Sequence, residues 1–442
     1  MVSKSALEAA KILRDKKSTE GISQDEQRRL TYAAKLSASQ KLRWSPNLKF
    51  AKHRLELFPK FDWDEELILG RVLGRGEFCN IREIQGFKLQ EYIMSQNHIM
   101  DHLAENSEQR GLALREEEQV GRKFLSEHCI REDGGASRYV IKMLNEERFA
   151  DPDAYYSGVR DLVLEAHYLA ELEHPHIIKL RGLSTQDLGD KHFFLILDRL
   201  YGTLDNRIKE WTLNEHRGKG MKRIFVMHKK GLRREKKREF LRSRLLVAHD
   251  LSSAVHFMHK NCIINRDLKP ENVGFDIRGD LKLFDFGLST EFPPDSDKPY
   301  KNLTWKTGSL LYMAPEVYLK RPYDESVDIF SFSLILWQIL ALKAPYPNFT
   351  CKMIVNHVME NCFRPELDAT WSECMKNLIR RMWSPIPTER PTAQELKETI
   401  KIELYSINET SLEDQGEECD TLSRRSSYLQ PRFMSSVGTF FD

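Results

Sequence analysis

Residues 265–272 place an acid, a lysine and an amide close together in one polar run. The run reads Asn265-Arg266-Asp267-Leu268-Lys269-Pro270-Glu271-Asn272, and it directly follows the apolar residues Cys262-Ile263-Ile264. Polar side chains on a loop at the end of a buried strand are typical of reactive sites, because the strand holds the loop in place. The run therefore predicts a loop that carries chemistry.

A second acid follows another apolar strand-like run. Asp285-Phe286-Gly287 comes directly after Leu281–Phe284. Phosphoryl transfer needs an acid that orients the attacking hydroxyl, and an amide and a second acid that hold magnesium. Two coincidental polar surface loops would explain the same residues, but two motifs that each follow a strand favour the reactive site.

These two motifs, in this order, make the sequence resemble the eukaryotic protein kinase family, and residues 64–403 carry the resemblance. The wording of Gly308–Met313 and the run Ser326–Leu340 resemble the tyrosine-kinase-like branch of the Ser/Thr kinases. The resemblance implies an α+β, two-lobed protein-kinase fold. A small lobe of antiparallel β-sheet plus helix C would pack on a larger, mainly α-helical lobe.

The resemblance also implies a nucleotide site between the lobes. Two glycines between predicted strands let backbone N–H groups close over phosphates, although tight hairpins use such glycines too. The third glycine of the family pattern is Cys79 here. Leu197 matches the gatekeeper, and the backbone of 198–200 matches the hinge that binds adenine. The residues that the resemblance places at the nucleotide are Leu73, Gly74, Gly76, Phe78, Ile81, Val140, Lys142, Leu197, Asp198 and Leu200.

Glu165 lies on the buried face of a predicted helix, since it shares a spacing of three or four with Leu162 and Leu169. A buried glutamate needs a partner, and Lys142 is the expected one. The resemblance assigns this pair to the α- and β-phosphates of ATP. It assigns Asp267 to the substrate hydroxyl, Lys269 to the transferring phosphoryl group, and the two metal-binding positions to Asn272 and Asp285. ATP and Mg²⁺ are the implied cofactors, with Mn²⁺ as an alternative.

Arg266 precedes the catalytic aspartate, and a buried guanidinium favours an anionic partner. Phosphorylation of the following segment is therefore expected, at Thr304 first, with Thr307 and Tyr300 as further candidates. The resemblance gives structural roles to Arg266, Phe286, Gly287, Ser309, Glu316, Asp328 and Arg390. Within this set, Arg390 is expected to pair with Glu316.

Two positions depart from the family pattern. Asn265 replaces a ring that would pack under Phe286, so we expect altered stability of the active state rather than lost chemistry. Gly274 replaces an aliphatic residue beneath adenine, which predicts a thinner pocket floor and weaker nucleotide affinity.

Three regions flank or interrupt the predicted domain. Residues 1–63 form a polar, helix-prone extension, which we interpret as loosely ordered, with a docking helix bearing Leu7, Ala10 and Leu13 as the alternative. Insertions at about 87–137 and 213–244 interrupt the domain, and we expect the first to be partly disordered. Residues 404–442 are expected to form a flexible tail.

Residues 217–244 hold thirteen lysines or arginines and only two acids. A nuclear-import signal, a docking site for an acidic partner and a solvated loop all remain open. Nucleic-acid binding is the weakest alternative because few aromatic residues accompany the charges.

Composition favours an intracellular protein. The 442 residues carry a net charge of +2, and the seven cysteines show no paired spacing, which is typical of reduced thiols. We find no N-terminal leader pattern, and the most apolar segment, 329–342, is shorter than a membrane span. A cytoplasmic location is expected, with the nucleus as an alternative.

The sequence thus predicts a protein kinase that acts on protein substrates. Lys269 and Ser309 favour serine and threonine as acceptors in this family. A pseudokinase, which binds partners and transfers nothing, is the alternative. The presence of the whole set of phosphate-, metal- and hydroxyl-binding residues weighs against it.

Overall fold

The computed structural model describes residues 23–42, 55–76, 78–89, 105–131, 135–187, 190, 192–220, 230–293, 298–300 and 303–418. They form a small lobe built on a β-sheet and a larger lobe that is mostly helical, as the sequence predicted.

The small lobe contains a six-stranded sheet with the strand order β1-β5-β6-β4-β3-β2. Strand β1 runs parallel to β5, and the other neighbours are antiparallel. The central strand β4 is buried on both faces, because its sequence is almost wholly apolar apart from Lys142. The strands are β1 Lys60–Phe61, β2 Leu67–Arg75, β3 Cys79–Phe87, β4 Tyr139–Leu144, β5 Leu180–Ser184 and β6 Phe194–Asp198.

The helices of this lobe are α1 Gln24–Lys41, α2 Glu105–Glu127 and α3 Pro152–Glu171, and α1 packs on α3. Helix α3 is the predicted helix C. It begins where Asp151 accepts a hydrogen bond from the backbone N–H of Asp153, and Pro152 occupies its first turn, where a missing N–H costs nothing.

Two flanking regions contain more regular structure than we expected. Helix α1 lies in the extension that we expected to be loosely ordered, yet Leu30, Ala34 and Ala38 are buried. Helix α2 lies in the insertion that we expected to be partly disordered. It packs on the sheet because Leu125 joins the apolar core of the small lobe and Arg122 lies over the ring of Phe61. The alternative docking helix at residues 7–13 falls outside the described residues.

The large lobe surrounds helix α7, which is buried along nearly its whole length because its sequence is apolar on every side. The helices of this lobe are α4 Leu204–Gly220, α5 Lys230–Lys260, α6 Pro315–Tyr318, α7 Ser326–Ala341, α8 Cys351–Met353 with a π-helical continuation Ile354–Glu360, α9 Glu373–Met382 and α10 Ala393–Glu418. Its short strands are β7 Ile263–Ile264, β8 Val273–Phe275, β9 Leu281–Leu283 and β10 Thr290–Glu291.

The second insertion and the C-terminal segment are more regular than expected. Helices α4 and α5 extend into the insertion, and Arg244 donates hydrogen bonds to the carbonyl groups of Ile339 and Leu340. A buried cation at the C-terminal end of α7 satisfies carbonyls that the helix leaves unbonded. Residues 404–418, expected in a flexible tail, continue α10, where Leu404 is still buried. Residues 221–229 and 419–442 lie outside the described part.

Among the helices of the described residues, none combines the length and the apolar character that crossing a membrane requires.

Candidate active site

The carboxylate of Asp267 is held by three neighbouring side chains and one backbone group. Its Oδ2 atom accepts hydrogen bonds from Lys269 Nζ at 2.6 Å and from Asn272 Nδ2 at 3.0 Å. Its Oδ1 atom accepts from the backbone N–H and the hydroxyl of Ser309, each at 2.8 Å. Lys269 Nζ also reaches Ser309 Oγ at 2.9 Å. The structure thus brings four predicted site residues together and fixes the direction of the acid.

Gly308 makes the approach of Ser309 to this acid feasible. Its φ of +98° lies in a region that side chains disfavour, and a Cβ atom there would lie 2.1 Å from the carbonyl oxygen of Arg266. Only glycine combines that backbone conformation with so close an approach.

The loop is anchored to the core of the large lobe through Asp328. This carboxylate accepts hydrogen bonds from the backbone N–H of Asn265 at 2.8 Å and of Arg266 at 2.9 Å. His259 Nε2 lies 2.9 Å from the same carboxylate. His259 is not among the residues that the sequence motifs predict for the site. A signal was present in the sequence, since His259 directly follows the apolar positions Leu251, Val255 and Met258, which share one face of helix α5 and are buried.

Lys142 joins the two lobes. Its Nζ atom lies 2.5 Å from Glu165 Oε2 and 3.0 Å from Asp285 Oδ1, so the expected pair with Glu165 is formed. Burial on its own would lower the pKa of Lys142, but the nearby carboxylates of Asp285 and Glu165 outweigh burial and raise it. Lys142 in turn lowers the pKa of Asp285. Lys142 and Asp285 are therefore both charged at neutral pH.

Asn272 and Asp285 fit the hard oxygen ligands that Mg²⁺ prefers. The Nδ2 group of Asn272 donates to the backbone oxygen and to the carboxylate of Asp267, which leaves the amide oxygen for a cation. The Asp285 side chain keeps 44% of its surface exposed and is ionised. Asp285 also has φ +68°, a strained value that short polar residues tolerate best.

The β-sheet aligns the predicted nucleotide residues. Ile81 pairs with Gly74 on one side and with Lys142 on the other, while Val140 pairs with Leu197. Gly76 closes the β2–β3 hairpin, since its N–H donates to the carbonyl of Cys79 at 2.7 Å, and Leu73 is partly buried beside it. Phe78 at the hairpin tip lies against Gly158 of α3.

The hinge leaves one backbone donor for a ligand. The N–H of Asp198 donates to the carbonyl of Lys179, and the N–H of Arg199 donates to that of Arg138. The amide of Leu200 is the remaining predicted donor. The carboxylate of Asp198 itself accepts two hydrogen bonds from Arg181 and belongs to the frame of the lobe.

Neighbouring side chains fill the space beside Gly274, which differs from the thin pocket floor that we expected, and the weaker nucleotide affinity stays a prediction. A Cβ atom at Gly274 would lie 2.5 Å from Leu200 Cδ1 and 3.2 Å from Phe284 Cε1. The family pattern has an aliphatic side chain at the position of Gly274 in strand β8. Here the side chain of the hinge residue Leu200 packs against the strand at that position.

Thr304 is the only one of the three candidate phosphorylation sites in a hydrogen bond to Arg266 within the described residues, with Arg266 Nη1 to Thr304 Oγ1 at 2.8 Å. The hydroxyl of Thr307 lies 3.1 Å from that of Thr304. Tyr300 is buried, and burial raises the pKa of its phenol. The geometry favours Thr304 over Tyr300.

The remaining structural residues are buried. Arg390 makes two hydrogen bonds with the carboxylate of Glu316, at 2.6 and 3.0 Å, as expected. Phe286 is fully buried. Asn265 accepts a hydrogen bond from the N–H of Asp267 at 3.1 Å, and its Nδ2 group is buried without a partner among the described residues. The asparagine therefore braces the catalytic loop but leaves one donor unsatisfied.

A clamped acid beside a lysine, a metal-binding pair and a buried lysine–glutamate bridge are the parts of a phosphotransferase. The family model for the protein kinase domain matches residues 126–400, which is more than half of the chain. The chain therefore belongs to the protein kinase family, and the predicted kinship with the eukaryotic protein kinases is confirmed. The match begins after the glycine-rich hairpin β2–β3.

Named relatives agree with this assignment. Dual specificity protein kinase shkB of Dictyostelium discoideum is 33% identical over 274 residues, which are 61% of this chain and 37% of that protein. Serine/threonine-protein kinase STY17 of Arabidopsis thaliana is 26% identical over 282 residues, 63% of this chain and 42% of that protein. The human ankyrin repeat and protein kinase domain-containing protein 1 is 28% identical over 249 residues, 54% of this chain and 29% of that protein. This chain spans less than half the length of each of these relatives.

Proposed function

We propose that this kinase transfers the γ-phosphoryl group of ATP to serine or threonine hydroxyls of protein substrates. The observation that carries the proposal is the geometry of Asp267, whose carboxylate is fixed by Lys269, Asn272 and Ser309. The hydroxyl of Ser309 lies 2.8 Å from Oδ1 of this acid, which supports the proposal. A substrate hydroxyl at a similar distance would be oriented for attack.

The other residues neutralise charge. ATP would supply the activated phosphoryl group, and Mg²⁺ would place two positive charges beside its phosphates. Lys142, held by Glu165, would bind the α- and β-phosphates, and Asn272 with Asp285 would hold the cation. Lys269 lies beside Asp267, where it would balance the negative charge that develops on the transferring group. Positioning and charge neutralisation account for most of the catalysis in this reaction class.

Serine and threonine are proposed as acceptors because Lys269 and Ser309 form one hydrogen-bonded unit with Asp267. Tyrosine is the second candidate, since one of the relatives is named a dual specificity kinase. A scaffold without transfer activity is the second class of function, and the unusual Asn265 with its unsatisfied donor is the observation that favours it.

Phosphate incorporation into a generic basic protein tests the proposal. The variant Asp267→Asn should lose about 100-fold or more of the rate, since it removes the orienting carboxylate. Asp280→Asn, which removes a half-exposed carboxylate outside the site, should keep the wild-type rate. Equal rates for Asp267→Asn and wild type would support the scaffold instead. Phosphoamino-acid analysis decides the acceptor, and abundant phosphotyrosine would replace the Ser/Thr assignment.

We also propose that the protein is located in the cytoplasm and that the basic segment 217–244 directs the import of part of it into the nucleus. Lys236 and Lys237 are exposed on α5, where an import factor or another acidic partner can reach them. Replacing both by glutamate in a fluorescent fusion should abolish nuclear accumulation. If the distribution of the fusion between nucleus and cytoplasm does not change, the segment is a solvated helix end without a role in import.

A further inference from the structure

Helix α3 is buried on two faces instead of one. Leu162 and Leu169 lie on the same side as Glu165, and this side faces the active site. Val159 and Val163 are equally buried, although they lie roughly 120–160° around the helix from Glu165 at 100° per residue. A helix at the surface of a domain normally buries a single stripe. A second element must therefore cover the other face.

Helix α1 is that element, because it packs along α3. Leu30, Ala34 and Ala38 recur every four residues along one stripe, and all three are buried. The two alanines present no bulk, so the helix backbones can approach closely. Thr31 adds a polar contact, since its hydroxyl lies 3.1 Å from the hydroxyl of Tyr155 on α3.

Helix α3 contacts three parts of the candidate site, namely Lys142, the segment that carries Asp285 and the glycine-rich hairpin. Glu165 on this helix holds Lys142 at 2.5 Å. A Cβ atom at Gly287 would lie 2.7 Å from Asp161 Cβ, so α3 rests directly on the segment that carries Asp285. One turn earlier, Gly158 contacts Phe78 of the glycine-rich hairpin. A displacement of about 1 Å at reacting groups can cost on the order of 100-fold in rate.

We propose that α1 is an intramolecular positioning element that holds α3 in place and so maintains the Lys142–Glu165 pair. The occupant of the outer face of α3 is the chain's own segment 24–41. Leu30, Thr31, Ala34 and Ala38 are positioning residues, because they act through α3 and touch no reacting group. The inference depends on the proposed kinase activity for its catalytic readout, but a second readout is independent of it.

The test uses the full chain with a carboxylate placed on either side of α1. Ala34→Glu puts a charge into the contact with α3, whereas Leu36→Glu puts the same charge on the exposed side of the same helix. Glutamate is a good helix former, so the helix itself is conserved. We expect the kcat of Ala34→Glu to fall about 10-fold or more, and that of Leu36→Glu to stay within about 2-fold. The KM for ATP should also rise in Ala34→Glu, because Lys142 is proposed to bind the phosphates, and should stay unchanged in Leu36→Glu.

A rescue experiment separates positioning from general damage. A synthetic peptide of residues 23–42 added to the Ala34→Glu protein should restore most of the lost kcat. The same peptide carrying Ala34→Glu should restore none. If Ala34→Glu is folded and the wild-type peptide does not restore its kcat, the inference is overturned.

Hydrogen exchange provides the readout that does not need catalysis. The amides of α3, residues 152–171, should exchange faster in Ala34→Glu than in Leu36→Glu. If the wild type is active and Ala34→Glu matches it in both kcat and the exchange of the α3 amides, the inference is overturned. The proposed function then remains intact. If the wild type is inactive but the α3 amides exchange faster in Ala34→Glu than in Leu36→Glu, only the proposed function is overturned. If Ala34→Glu unfolds, Leu30→Ala replaces it, and an unchanged kcat in that variant overturns the inference.

Discussion

The guanidinium of Arg266 donates a hydrogen bond to the hydroxyl of Thr304 at 2.8 Å, so the catalytic loop and the segment after Asp285 are joined at this point. Thr304 is exposed, and Arg266 is buried with φ +69°. A phosphate on Thr304 would replace a neutral bond by charge-assisted ones, which are about twice as strong. We therefore expect phosphorylation of Thr304 to order the segment and to raise activity.

Thr304→Ala should lower the rate roughly 10-fold, within the range that one or two charge-assisted hydrogen bonds supply. Thr307→Ala, three residues along the same segment, serves as the matched control and should have a smaller effect. Mass spectrometry of the active protein measures the occupancy at each position. A fully active preparation without phosphate on Thr304 would contradict the prediction.

The buried pair of Glu316 and Arg390 is expected to stabilise the large lobe. Glu316→Gln leaves the guanidinium buried without its charge partner, which should lower the free energy of unfolding by about 3–5 kcal/mol. Arg381 and Glu395 form an exposed pair, and Arg381→Met should cost only about 0–1 kcal/mol. Urea unfolding measures both variants, and equal losses would show that burial does not distinguish the two pairs.

Gly274 and Leu200 are expected to be coupled through the space that they share. Gly274→Leu should weaken nucleotide binding about 10-fold, because the new side chain meets Leu200 Cδ1 and displaces the hinge. Adding Leu200→Ala removes the obstructing atoms and should recover most of the affinity. Calorimetric titration with ATP across the double-mutant cycle measures the coupling. Additive losses would mean that the two residues act separately.

The sequence was sufficient for the fold and for most of the site, since Asp267, Asn272 and Asp285 occur in local motifs that can be recognised without knowing their neighbours. It was insufficient where a residue's role depends on a distant partner. Ala34 is buried only because it packs against α3, which lies more than a hundred residues further along the sequence. An alanine in a polar segment does not indicate such a contact. The space next to Gly274 is likewise filled from the hinge, which no spacing within the strand indicates. The packing of helix α2 could not be predicted either, because its sequence is rich in charges and only a few residues such as Leu125 reach the apolar core.

His174 is expected to make the protein less stable as the pH falls. Its Nδ1 atom accepts a hydrogen bond from the N–H of His176 at 3.1 Å, and its ring stacks on Phe257 with 5.0 Å between centroids. Burial, together with the charge of His176, lowers the pKa of His174 to about 4 from its ordinary value of 6.5. The unfolded chain therefore binds a proton at a higher pH than the folded protein does. Stability is fully present above about pH 6.5 and is lost as the pH falls from there towards 4.

After allowance for the partial exposure of the ring, the loss from His174 should be about 1–2 kcal/mol between pH 7 and pH 4.5. His174→Phe keeps a ring against Phe257 and removes the titrating group, so its free energy of unfolding should depend less on pH in this range. Urea unfolding at pH 7.5, 6.0 and 5.0 measures the difference between variant and wild type. Between pH 7.5 and 8.5 the two proteins should change in parallel, because His174 is neutral in both states there. A slope below pH 6.5 that is the same in both proteins would assign the acid sensitivity to other groups, of which His256 is the first, since burial lowers its pKa as well.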